Sequence, residues 1–142
     1  MKSFLDEVAA RTPAPGGGAV AAMTAASAAA LVSMAARFSS ANDVAAAGDA
    51  LRARLVQLAA DDAEAYTAVL AARGAARKEA LRAATGVPRS IATTAAEVAV
   101  LAHGLVETGN PRLVGDARVA ELIAEAAGKA AGVLVDINTA EG

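Results

Sequence analysis

The chain has 142 residues, enough to bury one core, and 44 of them are alanine. Thirteen Lys+Arg against fifteen Asp+Glu give a net charge of -2, and Phe4, Phe38 and Tyr66 are the only aromatics, so the basic surplus and stacking faces that nucleic acids require are absent. Without cysteine and with one histidine, disulfides, a thiolate nucleophile and a structural zinc site are excluded.

Alanine is the best helix former and β-branched residues are few, so the composition predicts an all-α chain. Ser3 with Asp6 and Glu7 supplies a cap and first-turn acids for a short helix ending near Ala10. Those charges precede any apolar run, which argues against a signal peptide. Thr12-Pro13-Ala14-Pro15-Gly16-Gly17-Gly18 cannot continue that helix. A second helix runs from about Gly18 to Ser39. Its uncharged stretch Ala19 to Ala36 is long enough to raise the question of a membrane span. Alanine gains little in lipid, however, and Val20, Met23, Leu31, Met34 and Phe38 form one stripe, as in the central helix of a bundle. The expectation is a soluble, cytoplasmic protein with no membrane partner.

Ser39 to Asp43 is a turn. The third helix carries Val44, Leu51, Leu55, Leu58, Tyr66 and Val69 at helical period and ends near Gly74. A fourth, Ala75 to Thr85, stops at Gly86-Val87-Pro88. Pro88 opens a fifth, with Ile91, Ala95, Val98, Ala102 and Leu105 inward. Gly109-Asn110-Pro111 breaks it, and Val119, Leu122, Ala126, Ala130, Val133 and Ile137 form the stripe of the last helix. Residues 1–142 thus read as one domain, a multihelical bundle of about five to six helices. Ala124, Gly128 and Gly132 permit close helix approach. So few bulky residues bury little apolar area, at about 25 cal/mol per Å², and pairing of subunits would add to it. A homodimer, intertwined, is predicted.

Asp62 stands out by pattern. It lies on the stripe of its helix with Leu55, Leu58 and Val69, whereas Asp61 points elsewhere. A carboxylate there is costly unless bonded, and such groups are often functional. The plainer reading is an Asp bonded to a neighbouring helix end or to a core Arg. Asp116 opens the last helix, where the plain reading is an acid facing the helix dipole. His103 falls off its helix's stripe and reads as a surface residue. Glu121, Glu125, Lys129 and Asp136 read as a solvated face. The three glycines after Pro15 leave N–H groups free at a helix start, suited to an anion or to tight helix passage. With no following lysine and no preceding strand they form neither a P-loop nor a dinucleotide fingerprint.

Phe4 through Ala22, with its Thr12-Pro13-Ala14-Pro15-Gly16-Gly17-Gly18 centre, closely resembles the opening of the formiminotetrahydrofolate cyclodeaminase and methenyltetrahydrofolate cyclohydrolase family. Asp62-Ala63-Glu64-Ala65-Tyr66, Val87-Pro88-Arg89-Ser90-Ile91-Ala92 and Gly109-Asn110-Pro111 through Asp116-Ala117, ending at Ile137-Asn138, resemble later family segments in the right order. The resemblance implies a helical homodimer that binds a reduced folate. A tetrahydrofolate derivative is then the small-molecule substrate, with no tightly bound cofactor and no metal. It implies proton transfer by Asp62 or Asp116, and substrate contacts from Pro15, Gly16, Gly17, Gly18, Asn110 and Asn138. Cyclodeaminases expel ammonia as N5-formimino closes onto N10, and cyclohydrolases add water to the methenyl bridge. The residues leave both open, along with a relative acting on a non-folate substrate and a catalytically silent dimeric binding protein. Where family chains carry a glycine and a basic cluster after the second helix, this one has Phe38-Ser39-Ser40-Ala41-Asn42. Ala60, Gly115 and Leu134 replace a common acid, serine and asparagine.

Overall fold

The computed structural model describes residues 2–141. Among them are five α-helices: α1 (Lys2–Ala9), α2 (Gly17–Phe38), α3 (Asn42–Ala71), α4 (Gly74–Thr108) and α5 (Val114–Glu141), with a 3-10 turn at Pro111–Leu113. The chain is all-α, as its composition requires. The four long helices run alternately up and down. Helix α2 packs on α3 and α5, and α4 closes the ring against both.

The core is mostly alanine. Twelve of the 22 residues of α2 are buried, nine of them alanines, joined by Gly18, Val32 and Ser33. This answers the membrane question by position: α2 is long and apolar enough to span a bilayer, but most of its surface is covered by its neighbours. It is the central helix, though not through its large residues. Val20 and Phe38 are exposed, and the alanine face packs inward.

The same inversion is complete on α5. Ala117, Ala120, Ala124, Ala127 and Ala131 form its buried face, while Val119, Leu122, Val133 and Ile137 are 46–56% exposed, and Ala126 and Ala130 face out with them. The expected inward stripe is therefore the outward one. Reading by side-chain size fails here because the neighbours approach so closely that only a methyl group fits between backbones. Gly128 lies against Ala92 and Ala95 of α4, as a close-approach position should, but Gly132 faces open space.

Helix α4 corrects a second expectation. It passes unbroken through Gly86-Val87-Pro88, where two helices were expected. A proline inside a helix costs about 3 kcal/mol, but Ala84, Thr85, Pro88 and Ile91 are all buried on one face. Packing of that face outweighs the local break. The inward set Ile91, Ala95, Val98, Ala102 and Leu105 is buried as expected.

Glu121 is the third correction. It is 6% exposed, whereas Glu125, Lys129 and Asp136 do face solvent. His103, exposed as expected, meets Glu121 Oε1 through Nδ1 at 3.0 Å, and Arg118 donates to Oε2 at 2.8 Å. Those two partners hold the Glu121 carboxyl below its usual range, against the opposing effect of burial.

Candidate functional site

The alternation of helix directions brings four segments together at one end of the bundle: the start of α2, the second half of α3, the first half of α4 and the end of α5. There a cleft of about 240 Å³ is lined by Pro13, Ala14, Gly16, Gly17, Gly18, Asp62, Tyr66, Ala84, Leu134 and Asn138.

Local sequence explains the first wall. Gly16 adopts an extended conformation (φ -129°) and caps α2 without any side-chain bond of its own. The first N–H groups of a helix have no partner within it, and Asp62 reaches across from α3 to accept from the Ala19 N–H. Only glycine permits this at position 18, since a Cβ there would overlap the Asp62 carboxylate.

Burial raises the pKa of Asp62, and the Ala19 hydrogen bond opposes this without reversing it. Pro13, Ala14, Ala84 and Leu134 make much of the wall apolar, so the charged form is less well solvated than at the surface. The result is a half-buried carboxyl that exchanges its proton closer to neutrality than a surface Asp. Tyr66, one turn after Asp62, is half-exposed into the same cleft rather than a core residue. Its signal was present in sequence as the i, i+4 spacing from Asp62.

The structure therefore gathers Asp62, Gly16, Gly17, Gly18 and Asn138, and it sets Pro15 just behind the loop, in the wall of a shallow cavity with Glu64 and Thr67. It does not bring Asp116 or Asn110 to them within one chain. Asp116 is in the first turn of α5, about 33 Å along the helix from Asn138 at 1.5 Å per residue. Asn110 lies at that far end too, where its polar atoms serve the fold. Its N–H donates to Ser39 Oγ at 2.8 Å, its Nδ2 to the Phe38 carbonyl at 3.0 Å, and its Oδ1 accepts from the Arg112 N–H at 3.0 Å. Among the described residues no three His, Asp or Glu side chains converge as metal ligands would.

The sequence pattern of the formiminotransferase-cyclodeaminase family matches residues 1–141. No curated protein sequence matches the chain significantly. Among solved structures, the formiminotetrahydrofolate cyclodeaminase of Thermotoga maritima superposes with a TM-score of 0.96 at 32% identity. The match covers 99% of this chain and 78% of that one.

Proposed function

Because the chain belongs to the formiminotransferase-cyclodeaminase family, we propose that it closes a one-carbon unit onto a reduced folate with loss of ammonia, as a formiminotetrahydrofolate cyclodeaminase does. The observation that carries this reading is Asp62: a carboxyl with a raised pKa, in a cleft walled by the glycines of α2.

The chemistry asks for such a group. N10 of the substrate attacks the formimino carbon on N5, forming a C–N bond and a tetrahedral carbon that bears an amine. The amine leaves well only once protonated, and N10 must give up its own proton. Asp62 serves as the acid to the leaving nitrogen and takes up the proton that N10 releases. A carboxyl whose pKa burial raises above that of a surface Asp is suited to both roles. The N–H groups of Gly17 and Gly18, in the unpaired first turn of α2, supply donors that fix the substrate's polar edge beside it. Asn138 contributes from the opposite wall.

The reading includes a homodimer. The exposed stripe of Val119, Leu122, Val133 and Ile137 runs most of the length of α5, and such a continuous apolar face is what a partner covers. Two α5 helices paired antiparallel through that stripe, centred near Gly128, would bring Asp116 of the partner subunit to the level of Asn138. On this reading Asp116 acts across the subunit boundary.

The test is spectrophotometric. Purified protein with 5-formiminotetrahydrofolate should produce the methenyl chromophore, and Asp62→Asn should slow turnover by roughly 100- to 10,000-fold. Catalysed loss of added 5,10-methenyltetrahydrofolate without any reaction of the formimino substrate would make the chain a cyclohydrolase instead.

A further inference from the structure

The first segment of the chain is loosely attached to the bundle. Helix α1 has eight residues, too few to be stable on its own, and no residue from Ser3 to Gly16 is buried. Among the described residues, the hydrogen bonds of the loop after α1 stay within the segment. The Ala10 N–H donates to the Glu7 carbonyl at 3.3 Å and the Thr12 N–H to the Ala10 carbonyl at 2.8 Å. The Thr12 hydroxyl donates to the Ala14 carbonyl at 3.4 Å. Yet this segment supplies Pro13, Ala14 and Gly16 to the wall of the Asp62 cleft.

Its apolar anchor is Phe4, which packs, partly buried, against the core. The seat is incompletely filled: a cavity of about 260 Å³ remains there, with Pro15, Met23, Val56 and Ala59 in its wall. Unfilled space forfeits dispersion contacts, so this hold is weaker than a close-packed one. Pro15 also borders the shallow cavity beside Glu64 and Thr67, which leaves space on both sides of the loop. At the other end of the segment, a Cβ on Gly16 would meet nothing closer than 3.9 Å and one on Gly17 nothing closer than 4.0 Å. The backbone has room to swing there, up to Gly18, which lies against the Asp62 carboxylate. Few buried contacts and a free end are the physical marks of the segments from which active-site lids are drawn.

We propose that residues 3–16 form a strap that closes over the bound substrate, with Phe4 as the latch that holds it shut, and that closure keeps the product from water. The inference rests on the folate reading and adds to it what stops the reaction at ammonia loss. The bridging carbon of the methenyl product is electrophilic. Water adding to it forms a C–O bond, the C–N5 bond breaks, N5 keeps one proton of the water and the other is released, leaving the 10-formyl compound. Asp62 accepts a proton from water as it does from N10, so its own chemistry does not forbid this second step. Pro13 and Ala14 closed over the cleft place apolar surface where that water would stand. Phe4 is no part of the cleft wall and acts through Pro15 and the loop, as a positioning residue.

Two measurements on the full-length protein test this: hydrogen exchange read by mass spectrometry, with 5-formyltetrahydrofolate as the bound probe, and product analysis with 5-formiminotetrahydrofolate against a no-enzyme control. In the free wild type, amides of residues 3–16 should exchange roughly 100-fold faster than those of buried α2, and the probe should slow them roughly tenfold. The wild type should release the methenyl compound. Phe4→Ala should lose most of the probe's protection, raise KM more than it lowers kcat, and release a growing share of product as the 10-formyl compound. Phe4→Leu, which keeps an apolar latch, should restore most of both. Strap exchange unmoved by bound probe, or a Phe4→Ala enzyme with wild-type exchange and product ratio, overturns the strap and leaves the folate reading standing. A wild type that forms mainly the 10-formyl compound from the formimino substrate shows that closure does not exclude water, and also overturns it. If the wild type neither binds the probe nor turns over the substrate, the folate reading falls and takes the strap's role with it.

Discussion

Asp62 does two things at once: it caps α2 from a distance through the Ala19 N–H, and it holds a carboxyl where water is partly excluded. The two pull its pKa in opposite directions, and burial prevails. An acid whose folded pKa lies above its unfolded value of about 3.9 is most favourable to stability while protonated in both states. That contribution is lost as pH rises from the unfolded value through the folded one. Asp62→Asn removes the titration and keeps an oxygen for the Ala19 N–H. Its thermal midpoint should match the wild type's at acid pH and exceed it at neutral pH, even as turnover is lost. A gap independent of pH would show that Asp62 is not the buried titrating group described here. Gly18 is tested on the same contact. Glycine to alanine within a helix ordinarily stabilises by about 0.5–1 kcal/mol. Here the new Cβ would strike the Asp62 carboxylate, so Gly18→Ala should instead lower the melting midpoint and reduce kcat on the order of 100-fold. Normal turnover in Gly18→Ala would separate the carboxylate from the chemistry.

At the scale of elements, the turns are held by polar atoms that also resemble site residues. Asn110 joins the end of α4 to the end of α2 through Ser39 and Phe38 and caps the 3-10 turn through Arg112. With its side chain committed to two of these bonds, Asn110→Ala should cost about 1–2 kcal/mol in urea unfolding at unchanged m-value. An unchanged midpoint would mean that water replaces both bonds without loss. Spacing alone could not assign this role, since an Asn after a helix-ending glycine serves a turn or a ligand equally well. The α4 proline shows the complementary limit. Gly86-Val87-Pro88 breaks a helix on local rules, and only the burial of Pro88 beside Ile91 keeps it whole.

The whole molecule separates what one chain holds from what two would share. One protomer's cleft contains Asp62 and Asn138, and its Asp116 stands at the opposite end of α5. Subunit mixing measures whether the two aspartates meet. If each site draws Asp62 from one copy and Asp116 from the other, inactive Asp62→Asn and Asp116→Asn proteins, refolded together in equal amounts, should regain about a quarter of wild-type activity. Half the dimers would be mixed, and each would carry one intact site. No recovery from mixtures that demonstrably exchange subunits would remove Asp116 from the reaction or confine its action to its own chain.

The sequence by itself determined the helical class, the glycine-rich start of α2, the inward face of the second half of α4 and the singular position of Asp62. These rest on propensity, turn chemistry and periodicity, all of which act within a few residues. It misassigned the faces of α5 and the environment of Glu121, because in an alanine-rich bundle the bulkier residues do not mark the interior. Only the tertiary structure decided which segments share an end. Helices about 30–50 Å long separate residues that a linear reading sets side by side, so Asp62, Asn138 and the glycines of α2 gather while Asp116 and Asn110 stay apart.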